Sequence, residues 1–292
     1  MKKILQIGTK GQLGWELLRT CAPLGEVVAL DYPDVDLSNS TGLRELVRSV
    51  KPDIIINAAA YTNVDKAESE PELARAINAT GPGVLAEEAK KIHAVLVHYS
   101  TDYVFDGTKG SPYVETDQPN PLNVYGQTKL EGEQAIAASG CANLVLRTSW
   151  VYSMRQGGFV TKVLQWAREQ EVMRVVDDQI SSPTSARLLA EISALILAKI
   201  DGNDISWTEE RSGVFHVAGD GACSRFEWAE KIIELDPRKE EQVVKKLERA
   251  SSSEFLVPAV RPMISVLNNA KLEKMFGLRL PPWEVGLRLT II

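Results

Sequence analysis

Cysteine and histidine are scarce in this chain, and neither forms a pattern that binds a metal. The three cysteines are odd in number, widely spaced and without metal-ligand neighbours, which indicates a reducing cytoplasm and no thiol chemistry. They are Cys21, Cys141 and Cys223. The three histidines are equally isolated, so the sequence assigns them no role. They are His93, His98 and His216.

A surplus of positive charge and a long apolar run are also missing. The formal net charge is −6 and no basic run occurs, so nucleic acid is not expected as a partner. The longest apolar helical stretch, LLAEISALILAKI, is interrupted by Glu191 and is too short to span a bilayer. We therefore expect a soluble, cytoplasmic protein with no membrane partner.

What the chain does contain is an alternation of strand-like and helical segments. Apolar runs such as KKILQI, VVAL, DIIINAAA, AVLVHYS and NLVLRTSW are separated by segments with helical spacing. This alternation predicts an α/β fold with a Rossmann-type, doubly wound parallel sheet. The runs are apolar nearly throughout, as is typical of strands that helices cover on both faces.

The alternation becomes less regular after Trp150. We therefore predict an NAD(P)-binding Rossmann domain over residues 1–150 and a smaller C-terminal α/β substrate-binding lobe over residues 151–292. No linker or low-complexity tract separates the two halves, so the boundary is soft and segments of the lobe can interleave with the first domain.

A glycine-rich turn follows the first apolar run. Gly8, Gly11 and Gly14 have GxxGxxG spacing, and residues 11–21 carry Leu13, Leu17 and Leu18 at helical spacing. A strand, a glycine turn and a helix in this order place exposed amides and the positive end of a helix dipole at one point. The segment therefore predicts a binding site for the pyrophosphate of a dinucleotide.

The second apolar run ends at Asp31, at the distance where an acidic residue usually meets the adenosine ribose. By its charge Asp31 favours NADH over NADPH, which carries an additional phosphate. Lys10 in the glycine turn offers a compensating cation. The sequence therefore leaves the choice between NADPH and NADH open.

Tyr125 and Lys129 are four residues apart at the start of a predicted helix, so both project from one face. A phenol is a poor proton donor at neutral pH unless a nearby cation stabilises its anion, and Lys129 is placed to do so. Hydride delivery to a ketone leaves an alkoxide, which Tyr125 can protonate. Thr101, at the end of the fourth apolar run, provides a second hydroxyl to orient the substrate oxygen.

Five motifs in order resemble the extended short-chain dehydrogenase/reductase superfamily and, within it, the dTDP-4-dehydrorhamnose reductase family. They are GTKGQLG, NAAAYTNVDKAESEP, YSTDYVFDG, PLNVYGQTK and RTSWVY. The resemblance implies NAD(P)H-dependent reduction of the C4 ketone of dTDP-4-dehydro-L-rhamnose to dTDP-L-rhamnose. It also implies a dTDP-sugar substrate and NADPH or NADH as the cofactor.

The resemblance assigns site residues in three groups. The catalytic group is Thr101, Tyr125 and Lys129. The cofactor group is Gly8, Lys10, Gly11, Gln12, Leu13, Gly14, Asp31, Asp36, Leu37, Ala58, Ala59, Ala60, Tyr125 and Lys129. The substrate group is Thr62, Val64, Thr101, Asp102, Tyr103, Trp150 and Arg261. Arg261 is expected to bind the diphosphate as a fixed cation, with a surface ion pair as the alternative.

Single positions in the motifs distinguish between the functions known in the superfamily. Dehydratases carry Asp and then Glu after the catalytic Thr, whereas this chain has Asp102 and Tyr103, which disfavours water elimination. A sugar-nucleotide epimerase and a non-catalytic NAD(P)-binding regulatory subunit stay open. The resemblance leaves a homodimer and a bound Mg²⁺ open, because some relatives dimerise around this ion, and Glu16 matches one of the positions that hold it. A lone carboxylate there is usually explained by the helix dipole, so no residue is assigned as a metal ligand.

Overall fold

The computed structural model describes residues 1–155, 157–200 and 204–291. Its strands are β1 (Lys2–Ile7), β2 (Gly25–Leu30), β3 (Ile54–Asn57), β4 (Val95–Thr101), β5 (Asn143–Thr148), β6 (Val151–Tyr152), β7 (Val172–Val176), β8 (Ile180–Ser181), β9 (Thr184–Ser185), β10 (Gly213–His216), β11 (Cys223–Ser224) and β12 (Lys246–Ala250). Its α-helices are α1 (Gln12–Cys21), α2 (Ser40–Val50), α3 (Val64–Ala67), α4 (Pro71–Arg75), α5 (Gly81–Lys91), α6 (Val124–Ser139), α7 (Phe159–Glu169), α8 (Ala186–Leu197), α9 (Ser206–Glu209), α10 (Arg225–Leu235), α11 (Ala270–Phe276) and α12 (Trp283–Ile291). A π-helical turn, Ala76–Thr80, joins α4 to α5.

The main sheet has six parallel strands in the order β2-β1-β3-β4-β5-β10. Every residue of β3, β4 and β5 is buried, which explains why these segments are apolar nearly throughout. The chain leaves β1 toward β2 and returns to the other side of β1 as β3. The strand order therefore reverses between β1 and β3, where ligands bind in sheets of this kind. The predicted fold class is confirmed.

Helices cover both faces of this sheet. Leu17 of α1 and Leu189 of α8 belong to the apolar core on one face. Leu43 of α2, Leu85 of α5 and Ile136 of α6 belong to the core on the other. The amphipathic helices of the sequence thus each bury one face against the apolar strands.

A separate apolar core lies in the second half of the chain. Its largest buried side chains include Tyr152, Trp228 and Trp283, from β6, α10 and α12. Two segments of the same half nevertheless belong to the main sheet: β10 pairs with β5, and α8 packs on α1. The division into domains at residue 150 stays a prediction. The positions of β10 and α8 show that segments after residue 150 pack with the first half of the chain.

Within the described ranges, no helix has both the length and the apolar character needed to cross a bilayer. The apolar stretch singled out in the sequence contains α8, which has 12 residues. Its side chains Leu189 and Ile196 are buried in the core against the sheet. The packing of this domain therefore accounts for the apolar character of α8.

Candidate active site

A cavity of about 580 Å³ opens at the carboxyl ends of β1, β3 and β4, where the strand order reverses. Residues of the glycine turn and of the first two turns of α6 both line this cavity. Sixteen of the predicted site residues line this cavity: Gly8, Gly11, Gln12, Leu13, Asp31, Asp36, Leu37, Ala58, Ala59, Ala60, Thr62, Thr101, Asp102, Tyr125, Lys129 and Trp150. The fold therefore brings most of the predicted cofactor and catalytic residues to one place.

The glycine turn is tight because its first and last glycines touch. Gly8 has a φ of +92°, which L side chains rarely adopt. A Cβ added at Gly14 would lie 1.8 Å from the carbonyl oxygen of Gly8. Gly14 thus packs behind the turn and does not line the cavity, while the first amides of α1 stay accessible. This arrangement suits a pyrophosphate.

Asp31 and Lys10 lie side by side at the predicted ribose end. The Asp31 carboxylate accepts hydrogen bonds from the backbone amides of Lys10, at 2.6 Å, and Tyr32, at 2.8 Å. The Lys10 ammonium donates to the carbonyl oxygen of Tyr32 at 2.6 Å. Lys10 is therefore close to the predicted ribose site although it does not line the cavity. The negative charge that favours NADH and the positive charge that favours NADPH therefore lie next to each other.

The start of α6 is held against the end of β4. The side chain of Asn123 accepts a hydrogen bond from the Gly126 amide at 2.8 Å and so caps the helix. A Cβ added at Gly126 would lie 2.2 Å from the carbonyl oxygen of Tyr103. Only a glycine permits this approach, which brings Tyr125 to the hydroxyl of Thr101 at the strand end.

The environment of Tyr125 differs from the sequence-based expectation. Burial raises the pKa of its phenol, and the hydrogen bond with Thr101 offsets only part of this rise. Among the described residues, no hydrogen bond joins Tyr125 to Lys129. The expectation that Lys129 lowers the pKa of Tyr125 is therefore wrong for this structure, because the ammonium group of Lys129 has other partners.

Lys129 is buried and points toward the sheet. Its Nζ donates to the carbonyl oxygen of Tyr99 at 2.6 Å and lies 2.9 Å from His98 Nε2. Burial lowers the pKa of Lys129 from its ordinary 10.5 to about 8, although the negative charge of Glu133 opposes this shift. The lysine can therefore gain or lose a proton near neutral pH.

Asp102 is a buried carboxyl group surrounded by hydroxyls. It accepts hydrogen bonds from Ser265 at 2.6 Å, Thr101 at 3.1 Å and Ser181 at 3.2 Å. Burial raises the pKa of Asp102 to about 6, and these hydroxyl donors limit the rise. Two of them come from the second half of the chain, so Asp102 connects the cavity to that half.

Three predicted substrate residues are not among those that line the cavity in the described part of the chain. Val64 begins α3, and Tyr103 is buried with its ring edge-on to Tyr125 at 5.9 Å between centroids. Arg261 donates to both carboxylate oxygens of Asp65, at 3.0 and 2.7 Å. The ion pair considered as an alternative for Arg261 is therefore present. Its role toward a diphosphate stays a prediction.

Sequence reasoning missed Arg225, the first residue of α10. Its guanidinium lies 4.0 Å from the ring centroid of Trp150 and interacts with the phenol of Tyr103. No carboxylate of the described residues forms a salt bridge with it, and burial lowers its pKa. No sequence pattern pointed to Arg225, because its neighbours come from distant segments of the chain. His98 was missed for the same reason.

The described residues form no preformed cluster of ligands for a magnesium ion. No group of three or more His, Cys, Asp or Glu side chains there has an arrangement that could hold a metal ion. Glu16 is the fifth residue of α1 and lies beyond its first turn, so the helix dipole offers little interaction with its carboxylate.

Comparison with known proteins gives full-length matches. A family model described as the RmlD substrate binding domain matches residues 1–291. The dTDP-4-dehydrorhamnose reductase of Escherichia coli (strain K12) is 42% identical over 292 residues, covering 98% of this chain and 95% of that protein. The enzyme of the same name from Burkholderia thailandensis is also 42% identical, with 99% and 98% covered.

Solved structures with the same fold include members of the same family. The dTDP-4-dehydrorhamnose reductase of Bacillus anthracis str. Ames, in complex with NADP, has a TM-score of 0.89 at 33% identity and covers 99% of this chain and 98% of its own. The orthologue from Clostridium acetobutylicum ATCC 824 has a TM-score of 0.90 at 35% identity, with the same shares covered. A UDP-glucose 4-epimerase from Thermus thermophilus is 21% identical with a TM-score of 0.79, which shows a shared fold only.

Proposed function

The chain belongs to the dTDP-4-dehydrorhamnose reductase family, and we propose that it reduces the C4 ketone of dTDP-4-dehydro-L-rhamnose to dTDP-L-rhamnose with NADPH or NADH. One observation carries this proposal. Thr101, Tyr125 and Lys129 line the same cavity as the glycine turn. A proton donor and the predicted site of the hydride donor therefore share one space, as carbonyl reduction requires.

The cavity fits a nicotinamide dinucleotide on its own geometry. The touching glycines leave the amides at the start of α1 open to a pyrophosphate, and Asp31 offers oxygens to a ribose. Lys10, bonded to the neighbouring Tyr32, is near enough to Asp31 to offset its charge when the ribose carries a phosphate. The bound cofactor supplies a hydride to the C4 carbon. The Bacillus anthracis relative, solved with NADP, supports this assignment.

The residues of the chain itself provide positioning and the proton. We assign Tyr125 as a hydrogen-bond donor to the C4 oxygen, and Thr101 as a second donor once its hydroxyl turns from Asp102 to the substrate. Both donors polarise the ketone. Tyr125 then transfers its phenolic proton to the alkoxide that forms when the hydride arrives. Lys129, one helical turn away, does not touch the phenol and restores the proton of Tyr125 through a water in the cavity that both residues line. Trp150 and Thr62 bound the space next to Thr101 that the hexose would occupy.

The test is incubation of the purified protein with dTDP-4-dehydro-L-rhamnose and NADPH, with NADH in parallel. The proposal expects loss of nicotinamide absorbance in step with formation of dTDP-L-rhamnose. Isomerised sugar without net cofactor oxidation would identify an epimerase instead. Bound cofactor with no change in the sugar would identify a regulatory subunit.

For the diphosphate we propose Arg225 in addition to Arg261. Two guanidinium groups flank Tyr103. Asp65 forms a salt bridge with Arg261, whereas Arg225, beside Trp150, forms no salt bridge with the described residues and interacts only electrostatically with Asp102. A diphosphate carries the complementary charge. The acidic net charge of the protein otherwise disfavours such a ligand.

The Arg225→Met variant is expected to raise the KM for the sugar nucleotide about 10- to 100-fold, because a charge-assisted contact is worth about 1.5–3 kcal/mol. The kcat should stay within about threefold, since the contact forms equally in ground and transition states. Steady-state kinetics at saturating NADPH measure both values. Arg238→Met, at an exposed position, is the control. An unchanged KM in Arg225→Met would remove Arg225 from the substrate site.

We propose a reducing compartment such as the cytoplasm, which is supported by three free thiols that are all buried. A homodimer and the lack of a nucleic-acid partner stay predictions from the sequence.

A further inference from the structure

Two buried polar residues form a hydrogen-bonded row behind Lys129. Asn57 ends β3 and is paired in register with His98 of β4, so their side chains lie next to each other on one face of the sheet. Asn57 Nδ2 lies 3.1 Å from His98 Nδ1, and His98 Nε2 lies 2.9 Å from Lys129 Nζ. The mechanism proposed above uses neither Asn57 nor His98.

The backbone determines which way this row is polarised. The Ala59 amide donates to Asn57 Oδ1 at 3.2 Å, and an amide N–H can only donate. The oxygen of Asn57 is thereby assigned to Ala59, so its NH₂ group donates to His98 Nδ1. A neutral imidazole that accepts at Nδ1 carries its proton on Nε2. The His98 Nε2–H bond therefore points at Lys129.

This orientation has a consequence for Lys129. An ammonium group has three N–H donors and no lone pair, so it cannot accept from the Nε2–H of His98. A neutral amine can accept this bond and still donate to the carbonyl oxygen of Tyr99 at 2.6 Å. The row from Ala59 to Lys129 is thus complementary to the amine form of the lysine.

We propose that Asn57 and His98 are positioning residues for proton transfer: Asn57 sets the tautomer of His98, and His98 donates Nε2–H to the amine that Lys129 becomes after it reprotonates Tyr125. The proposal rests on the reductase function proposed above. In each turnover the Tyr125 O–H breaks as the alkoxide O–H forms. A Lys129 N–H then breaks as the Tyr125 O–H re-forms, with a water in the shared cavity accepting the lysine proton as it gives its own to the phenolate. Solvent returns a proton to the amine before the next cycle.

The charges around the row agree with this role. Burial and the positive charge of Lys129 lower the pKa of His98 well below its ordinary value, so the ring is neutral. The pKa of Lys129, about 8, makes its amine accessible near neutral pH. Glu133 on α6 acts electrostatically on Lys129, and its carboxylate is paired with Arg147 of β5 at 2.6 Å. Glu133 therefore favours the ammonium form less than an unpaired carboxylate would.

The tautomer of His98 can be measured without any assay of function. Selective ¹⁵N labelling of histidine gives three ring-nitrogen pairs in this chain, and the His98→Gln variant identifies which pair belongs to His98. At pH 9, above the pKa of Lys129, we expect an NMR spectrum with protonated Nε2 and unprotonated Nδ1. A protonated Nδ1 would overturn the proposal, whether or not the protein proves to be a reductase.

The kinetic test uses an isosteric variant that reverses the donor and acceptor roles in the hydrogen bonds from Asn57 through His98 to Lys129. In Asn57→Asp, a carboxylate accepts from His98 Nδ1–H, so Nε2 becomes an acceptor and favours the ammonium form of Lys129. The basic limb of the kcat–pH profile should move upward by about one pH unit or more, with the KM values for both substrates within about twofold. An unmoved limb would overturn the role in proton transfer.

Replacement of His98 provides a second kinetic comparison. Gln keeps an N–H donor near the Nε2 position, whereas Leu of similar size does not. The kcat of His98→Gln should therefore exceed that of His98→Leu about 10-fold, with the KM values matched. Equal kcat values in the two variants would mean that His98 serves packing alone. If wild-type protein turns over no sugar, the proposed function fails while the NMR result still decides the tautomer.

Discussion

The Tyr125→Phe variant is expected to lose turnover by about 10³-fold or more while it binds NADPH with nearly unchanged affinity. General acid catalysis by a positioned side chain contributes about 10²–10⁴-fold, and the same hydroxyl also polarises the ketone. The phenol is the group that meets Thr101 at the end of β4. Its removal deletes both effects and leaves the glycine turn intact.

The measurement is kcat from cofactor oxidation with the dTDP-keto sugar, together with a Kd for NADPH from titration of intrinsic fluorescence. Tyr99→Phe is the matched control. Its hydroxyl donates to Ser193 of α8 at 2.7 Å, on the sheet face opposite Lys129, and its carbonyl oxygen stays in place. Tyr99→Phe should keep kcat within about threefold. Substantial turnover by Tyr125→Phe would reject Tyr125 as the acid.

The parts of the site that sequence predicts well are those determined by local spacing. Gly8 and Gly14 are each three residues from Gly11, so the contact between the first and last glycines of the turn forms within one short segment of the chain. Tyr125 and Lys129 share a helix face because they are one turn apart. Asp31, Ala58 and Thr101 follow or end apolar strands, and parallel strands end at one edge. Apart from Gly14, which packs behind the turn, these residues all line the cavity.

The parts that sequence could not predict depend on contacts between distant segments. Arg261 is paired with Asp65, 196 residues earlier in the chain, which only the folded structure reveals. Arg225 faces Trp150 across the junction of the two halves. The sequence placed Lys129 beside Tyr125 but contained no information on His98 and Tyr99, which take up its Nζ. Burial is the main cause of the pKa shifts of Tyr125 and Lys129, and it depends on packing between segments that are distant in the sequence.

The Lys129→Met variant is expected to be inactive and, at pH 7, more stable than the wild type. Lys129 should contribute to both catalysis and nicotinamide binding, so kcat falls and the KM for NADPH rises. A cation whose pKa drops from 10.5 to about 8 on folding costs about 3 kcal/mol when charged. Met has similar length and no charge, so the variant avoids this cost.

The lost hydrogen bonds of Lys129 offset part of that gain. Its bond to the Tyr99 carbonyl and its contact with His98 together are worth about 1–2 kcal/mol. A net increase of about 1–2 kcal/mol in the unfolding free energy is therefore expected at pH 7. Urea unfolding of both proteins measures this difference.

The pH dependence of the stability difference separates burial of a charge from simple repacking. The folded state binds fewer protons than the unfolded state between pH 8 and pH 10.5, so wild-type stability from this group increases across that window. The advantage of Lys129→Met should accordingly be largest below pH 8 and should be lost by about pH 10. Lys90→Met, at an exposed position on α5, should change stability by less than about 0.5 kcal/mol at either pH. If Lys129→Met were more stable than the wild type by the same amount at pH 7 and pH 10, burial would not destabilise the charged form of Lys129. The ability of Lys129 to donate a proton near neutral pH would then need another cause.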